Sequence, residues 1–112
     1  SPILLAALLA ALSGAALAQD GNPAGNAASG KKLFETDGCF QCHGWAAQGG
    51  GAGPKLNPPP AFPAFLLQLR MPRQLMPPYA ASVLSDQQAA DIHAYLATFP
   101  KPPDPKTIKL LQ

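Results

Sequence analysis

Residues 1–18 form an apolar and small-residue run that contains no charge. Beyond it the pattern breaks into short pieces. Residues 19–27 are small and polar and predict a linker. A short helix is expected from about Ala28, with Leu33 and Phe34 on its apolar face and Lys31, Lys32 and Glu35 in water, ending by Gly38. Gly49-Gly50-Gly51 and Gly53-Pro54 predict an irregular loop, and Asn57-Pro58-Pro59-Pro60 an extended one. In residues 62–70, Phe62, Phe65, Leu66 and Leu69 recur at helical spacing, and Pro72 stops that helix. Residues 73–81 form a loop that contains Met76-Pro77-Pro78-Tyr79. The clearest helix is the last. Ser85 and Gln88 have capping-box spacing, Asp86 suits the positive end of the helix dipole, and Ala89, Ile92, Leu96 and Phe99 form a stripe beside Tyr95. Pro100 ends it, and residues 100–112 predict a Pro-rich extended tail. No stretch alternates as a strand does, and there is no internal repeat, so the fold class is all-α with three to four short helices.

Composition narrows the function classes. The chain has 112 residues, 47% hydrophobic and 12% charged, with net charge +2. That allows one domain, and it argues against wholesale disorder and against a strongly basic nucleic-acid binder. Ten Gly and fourteen Pro exclude a coiled coil or a long helical bundle, and two Cys exclude a multi-disulfide scaffold. The first 18 residues resemble the apolar centre of a secretory signal, with Ala16 and Ala18 placed as a signal peptidase requires. A retained membrane anchor is the alternative, at the short end of the ~17–25 residues that span a bilayer. With no Met and no basic region before it, the sequence is expected to start inside a longer precursor. Either reading exports the remainder, to the periplasm in a bacterium, free or anchored to the inner membrane. That remainder has a thin core and a Pro/Gly-rich middle, which points to a bound cofactor filling the interior.

Cys39-Phe40-Gln41-Cys42-His43 is the c-type haem attachment pattern. Two thiols three positions apart on a turn can each add to one haem vinyl group, and the next residue sets an imidazole beneath the iron. A thioether opposite that imidazole raises the reduction potential. The competing readings are weaker. A structural zinc site wants four ligands, and His93 is the only other strong donor. A redox dithiol wants a thioredoxin-like βαβ context, which is missing. A simple disulfide leaves His43 unexplained.

From about Ala27 to Phe99 the chain resembles a class I c-type cytochrome: short helix, Cys-X-X-Cys-His, Gly53-Pro54-Lys55-Leu56, middle helix, Met-Pro loop, last helix. The resemblance implies a small cytochrome c fold over residues 28–99, wrapped around one covalent haem c. Cys39 and Cys42 would form the thioethers, and His43 the proximal iron bond. The Pro54 carbonyl would accept from the ligand imidazole, and Leu56 would touch the haem face. Met76 and Met71 are both candidates for the sixth ligand. Met76 has the family's context, while Met71 is expected to pack as core. Gly30, Phe34 and Tyr95 match the family's crossing of first and last helices.

Other residues carry two readings each. Trp45 either donates to a propionate or, the favoured reading, covers the cofactor edge as apolar area. Tyr79 either holds a propionate or faces solvent, and His93 is expected to be an exposed helix histidine. No Asp or Glu lies between Gly38 and Ser85, whereas Lys55, Arg70 and Arg73 do. Arg70 or Arg73 would offset the propionates, and the positive remainder would attract an acidic partner. Lys101, Lys106 and Lys109 are expected on a solvated arm. The function implied is one-electron transfer between a redox donor and acceptor, not catalysis. The chain would be a free shuttle in a respiratory chain or the cytochrome subunit of a dehydrogenase or oxidase complex, with membrane attachment through residues 1–18. The alternatives are a haem ligand-binding sensor or peroxidase-like protein with a displaceable sixth ligand, and a structural module without haem.

Overall fold

In the computed structural model, which describes residues 21–112, Asn26 starts the first helix. Its side chain accepts from the Ser29 amide at 2.9 Å, satisfying a donor that the first turn leaves free. Helix α1 runs Ala27–Thr36, α2 Cys39–His43, α3 Phe62–Arg70 and α4 Asp86–Leu96. Among the described residues there is no strand, only an isolated bridge between Gly50 and Gly53 that pinches a tight loop. The described residues are all-α, four α-helices arranged as expected of a small cytochrome c fold. Residues 1–18, expected to be a signal or an anchor, lie outside the described residues. So do Gln19 and Asp20 of the linker. Among the described residues no helix is long and apolar enough to cross a membrane.

The local signals act as expected at both ends of α4. The Ser85 hydroxyl accepts from the Gln88 amide at 3.1 Å, and the Gln88 side chain accepts from the Ser85 amide at 2.9 Å. The helix ends at Leu96, before Pro100, and Phe99 continues the apolar stripe from beyond the helix end, its ring edge-on to Tyr95 at 5.1 Å. The tail departs from expectation. It contains two 3-10 turns, Pro105–Thr107 and Lys109–Leu111, where the prolines predict an extended tail. Asp104 accepts from the Lys106 amide at 2.9 Å, and Pro105 presets the first turn position, so turn chemistry overrides the extended bias of the prolines.

The frame is the crossing of α1 and α4. A Cβ at Gly30 would collide with the Asp91 carbonyl, so the two backbones meet where one residue has no side chain. One turn on, Phe34 is fully buried, with the Tyr95 ring edge-on at 5.6 Å. The buried Asp91 carboxylate accepts from the Asn26 amide at 2.8 Å and from Gln87 Nε2 at 3.0 Å, fixing the start of α1 against α4. Helix α3 adds Phe62, Phe65 and Leu69 to the same core.

Two polar side chains tie the Pro-rich middle to α4. Buried Asn57 donates from Nδ2 to the carbonyls of Leu96 at 2.8 Å and Phe99 at 3.1 Å, meeting acceptors left free at the end of the helix. His93 is not the solvent-facing histidine expected. It is half-buried, with Nε2 2.7 Å from the Pro60 carbonyl and its ring against the edges of Phe62 and Phe65 at 5.7 and 5.2 Å. The loop folding over α4 covers it, a long-range event with no local signature.

Gly30→Ala is expected to destabilise the protein by ~2 kcal/mol or more, because backbone on both helices must move. Gly51→Ala, with nothing within 4 Å of its added methyl, should stay within ~1 kcal/mol of the parent. Chemical denaturation followed by circular dichroism checks both.

Candidate functional site

A single helical turn carries the attachment residues. Positions i, i+3 and i+4 of a helix share a face, so Cys39, Cys42 and His43 lie along one side of α2. Gly38, at φ 77°, takes the left-handed position that separates this turn from α1. Both thiols are free, Cys39 half-buried and Cys42 exposed, so no disulfide joins them. Burial pushes the Cys39 thiol up to about 11, and the Asp37 carboxylate adds to the rise. A redox dithiol needs the opposite shift, because the thiolate is the nucleophile. Among the described residues no three His, Cys, Asp or Glu side chains gather as a metal site.

His43 is 8% exposed, and its Nδ1 lies 2.8 Å from the Pro54 carbonyl. A carbonyl can only accept, so Nδ1 carries the proton and Nε2 keeps its lone pair. That is the tautomer an iron-ligating imidazole requires, held by a partner behind it. Gly53 makes the approach possible: a Cβ there would sit 3.0 Å from the Cys42 carbonyl and 3.0 Å from His43 Nδ1. The loop closes onto α2 through Gly49 N–H to the His43 carbonyl at 2.7 Å and Leu56 N–H to the Ala47 carbonyl at 2.9 Å. Leu56 is partly buried against the core.

The two methionines separate clearly. Met76 is half-buried against the core, and Gln68 Nε2 on α3 lies 3.7 Å from its sulfur. Met71 stands 69% exposed, not packed as core. It follows the last turn of α3, whose apolar face is occupied by Phe62, Phe65 and Leu69, so the core has no place for it.

Three residues expected at propionates have the following surroundings. Arg70 donates from one nitrogen to the Tyr79 carbonyl at 2.8 Å and from another to Asp86 Oδ1 at 2.6 Å. The Tyr79 hydroxyl donates to the Asp37 carbonyl at 3.0 Å, and its amide donates to the Leu69 carbonyl at 2.8 Å. Burial, and then the charge that Cys39, Asp37 and Cys42 carry once ionised, raises the phenol above its ordinary value, so it is a donor at neutral pH. Tyr79 is therefore an anchored residue, not a loose loop side chain. Arg73 is exposed beside a groove lined by Ala64, Leu67, Gln68 and Met71. Trp45 is 62% exposed and stacks on Phe40 at 3.8 Å, covering the middle of the attachment turn from outside. Asp37, Asn57, Gln68 and Asp91 were not singled out from sequence. Asp37, Asn57 and Asp91 act across 39 to 65 residues, a distance that no short pattern records, and Gln68 acts on the loop that follows its own helix.

These residues fit a covalently attached haem. Two unbonded thiols and the imidazole share one short helix, a residue without Cβ lies against the imidazole, and a thioether sits partly sheltered in the loop after α3. Residues 25–96 match the family model described as "Cytochrome C oxidase, cbb3-type, subunit III". No curated protein and no solved structure matches the chain.

Replacing both Cys39 and Cys42 by Ser should yield a colourless chain that does not accumulate in folded form, because the small core depends on the cofactor. Absorption and far-ultraviolet dichroism of the purified product check this, and a colourless but well-folded variant would contradict it.

Proposed function

The chain belongs to the family described as cytochrome c oxidase, cbb3-type, subunit III, and from that membership we propose that it passes single electrons between two redox proteins through one haem c. Cys39 and Cys42 would hold the group by thioether bonds, and His43 Nε2 and the Met76 sulfur would ligate its iron. When bound, the haem supplies a one-electron iron couple. The polypeptide does the rest. Pro54 keeps the proton on His43 Nδ1 and aims the ring. Met76 offers a neutral, soft sulfur that favours the reduced state and raises the potential. With His43 and Met76 both engaged, no position would remain for a substrate, and chemistry would be left to partners. The observation that carries this reading is the bond from His43 Nδ1 to Pro54, on the same turn as two unpaired cysteines.

The proposed partner contact follows from charge. Between Gly38 and Ser85 there is no acidic residue. Arg70 is neutralised by Asp86, which leaves Lys55 and Arg73 exposed; Arg73 borders the groove that Leu67 and Met71 line, and Trp45, Leu75 and Val83 are further exposed apolar side chains. Such a surface suits a small encounter with an acidic rim on the partner; redox encounters often bury less than ~1,200 Å². An exported location follows from residues 1–18, either removed or kept as an anchor in the inner membrane. The matched family's description and the Pro-rich tail favour a place within an oxidase or dehydrogenase complex over a free shuttle. A tail already restricted by proline loses little entropy when it lies along a neighbour.

Met76→Ala should lower the reduction potential, abolish the thioether charge-transfer absorption and open the sixth position, so that carbon monoxide binds the reduced protein rapidly. Met71→Ala should leave all three nearly unchanged. Loss of the absorption in Met71→Ala would reverse the ligand assignment. Rapid carbon monoxide binding by the unaltered protein would favour a ligand sensor or peroxidase-like protein. The intact mass of the native protein gives the number of haems attached and shows whether residues 1–18 remain.

A further inference from the structure

The loop that carries Met76 has no helix of its own and is fastened chiefly at one residue. Tyr79 uses all three of its polar groups. Its amide donates to Leu69 at the end of α3, its carbonyl accepts from Arg70, and its hydroxyl donates to Asp37, two residues before Cys39. Only Pro77 and Pro78 separate it from Met76. Proline fixes its own φ and restricts the residue before it, so a hold on Tyr79 is transmitted to Met76 with little slack. Arg70 is in turn oriented by Asp86, which occupies the first turn of α4, where the helix dipole favours its charge. As a bare surface ion pair, Arg70 and Asp86 would contribute little. Here the pair aims the second guanidinium nitrogen at the Tyr79 carbonyl, a charge-assisted bond.

We propose that Arg70, oriented by Asp86, and the Tyr79 hydroxyl form a strap that keeps the Met76 sulfur from being displaced, so that retention of the sixth ligand depends on these hydrogen bonds as well as on the iron–sulfur bond. The inference rests on Met76 being that ligand. Arg70 and Tyr79 are positioning residues in this scheme. Neither touches the iron, and both act through the backbone of residues 76–79. The strap also joins the two sides of the site, because the Tyr79 hydroxyl reaches the peptide unit just ahead of the attachment turn. Displacing Met76 requires the loop to lift, and the loop lifts only when the contacts at Tyr79 break.

The test uses the haem-loaded protein and three variants: Tyr79→Phe, Arg70→Met and, as a control for general loosening, Asn26→Ala, which removes the cap of α1 away from the loop. The oxidised proteins are titrated with imidazole while the thioether charge-transfer absorption is followed, and the reduced proteins are mixed with carbon monoxide. Tyr79→Phe should reduce the imidazole concentration at half-loss by roughly fivefold, the range of one neutral hydrogen bond, and Arg70→Met by roughly tenfold or more. Carbon monoxide binding should quicken in the same order. Arg70→Lys, which keeps the charge but not the fork, should recover part of the change. Asn26→Ala should lower the melting temperature and leave both readouts within twofold of the parent. If Tyr79→Phe and Arg70→Met also stay within twofold, or if Asn26→Ala shifts as far as they do, the strap is overturned while the Met76 assignment stands. If the unaltered protein lacks the thioether absorption, or if Met76→Ala keeps it, the assignment itself is overturned and the strap with it.

Discussion

Everything in this fold is hung on α4, and α4 can serve as a spine because Gly30 lets α1 lie against it backbone to backbone. From that contact a series of attachments runs outward. Asp91 fixes the start of α1, and Tyr95 packs on Phe34 one turn beyond Gly30. His93 and the last carbonyls of the helix hold the Pro-rich middle through Pro60 and Asn57. Asp86, at its first turn, orients Arg70 and through it the Met76 loop. One eleven-residue helix thus helps set the position of both the Pro-rich middle and the Met76 loop.

This arrangement answers a problem of size. So small a domain cannot fix two long loops by burying apolar area alone. It uses directed hydrogen bonds instead, from side chains on one element to backbone groups on another. Each such bond satisfies a carbonyl or amide that the end of a helix or an irregular loop leaves without a partner. The same economy serves electron transfer. Loops tied by directed hydrogen bonds have little freedom to rearrange when an electron arrives or leaves.

The site's electrostatics separate into an inner and an outer part. Near the site, the cationic Arg70 is matched by the exposed Asp86, and the Cys39 thiol is held neutral by burial. Outside, Lys55 and Arg73 remain exposed in a stretch free of acidic residues. The inner pairing fixes geometry, while the outer imbalance is available to a partner.

The attachment turn and the helices around it were legible in the sequence because their causes are local. Covalent attachment demands two thiols and an imidazole within five residues, capping demands Ser85 and Gln88 three apart, and proline stops a helix wherever it falls. The fates of Arg70, Tyr79, His93 and Met71 were not legible. Tyr79 finds Asp37 across 42 residues, Asn26 finds Asp91 across 65, and His93 is covered by a loop 33 residues away. Chain closure over such distances leaves no periodicity and no spacing to detect. Sequence by itself determined which residues could do the chemistry; only the tertiary structure decided which of the remaining polar groups hold them in place, because a hydrogen bond depends on position in space and not on order along the chain.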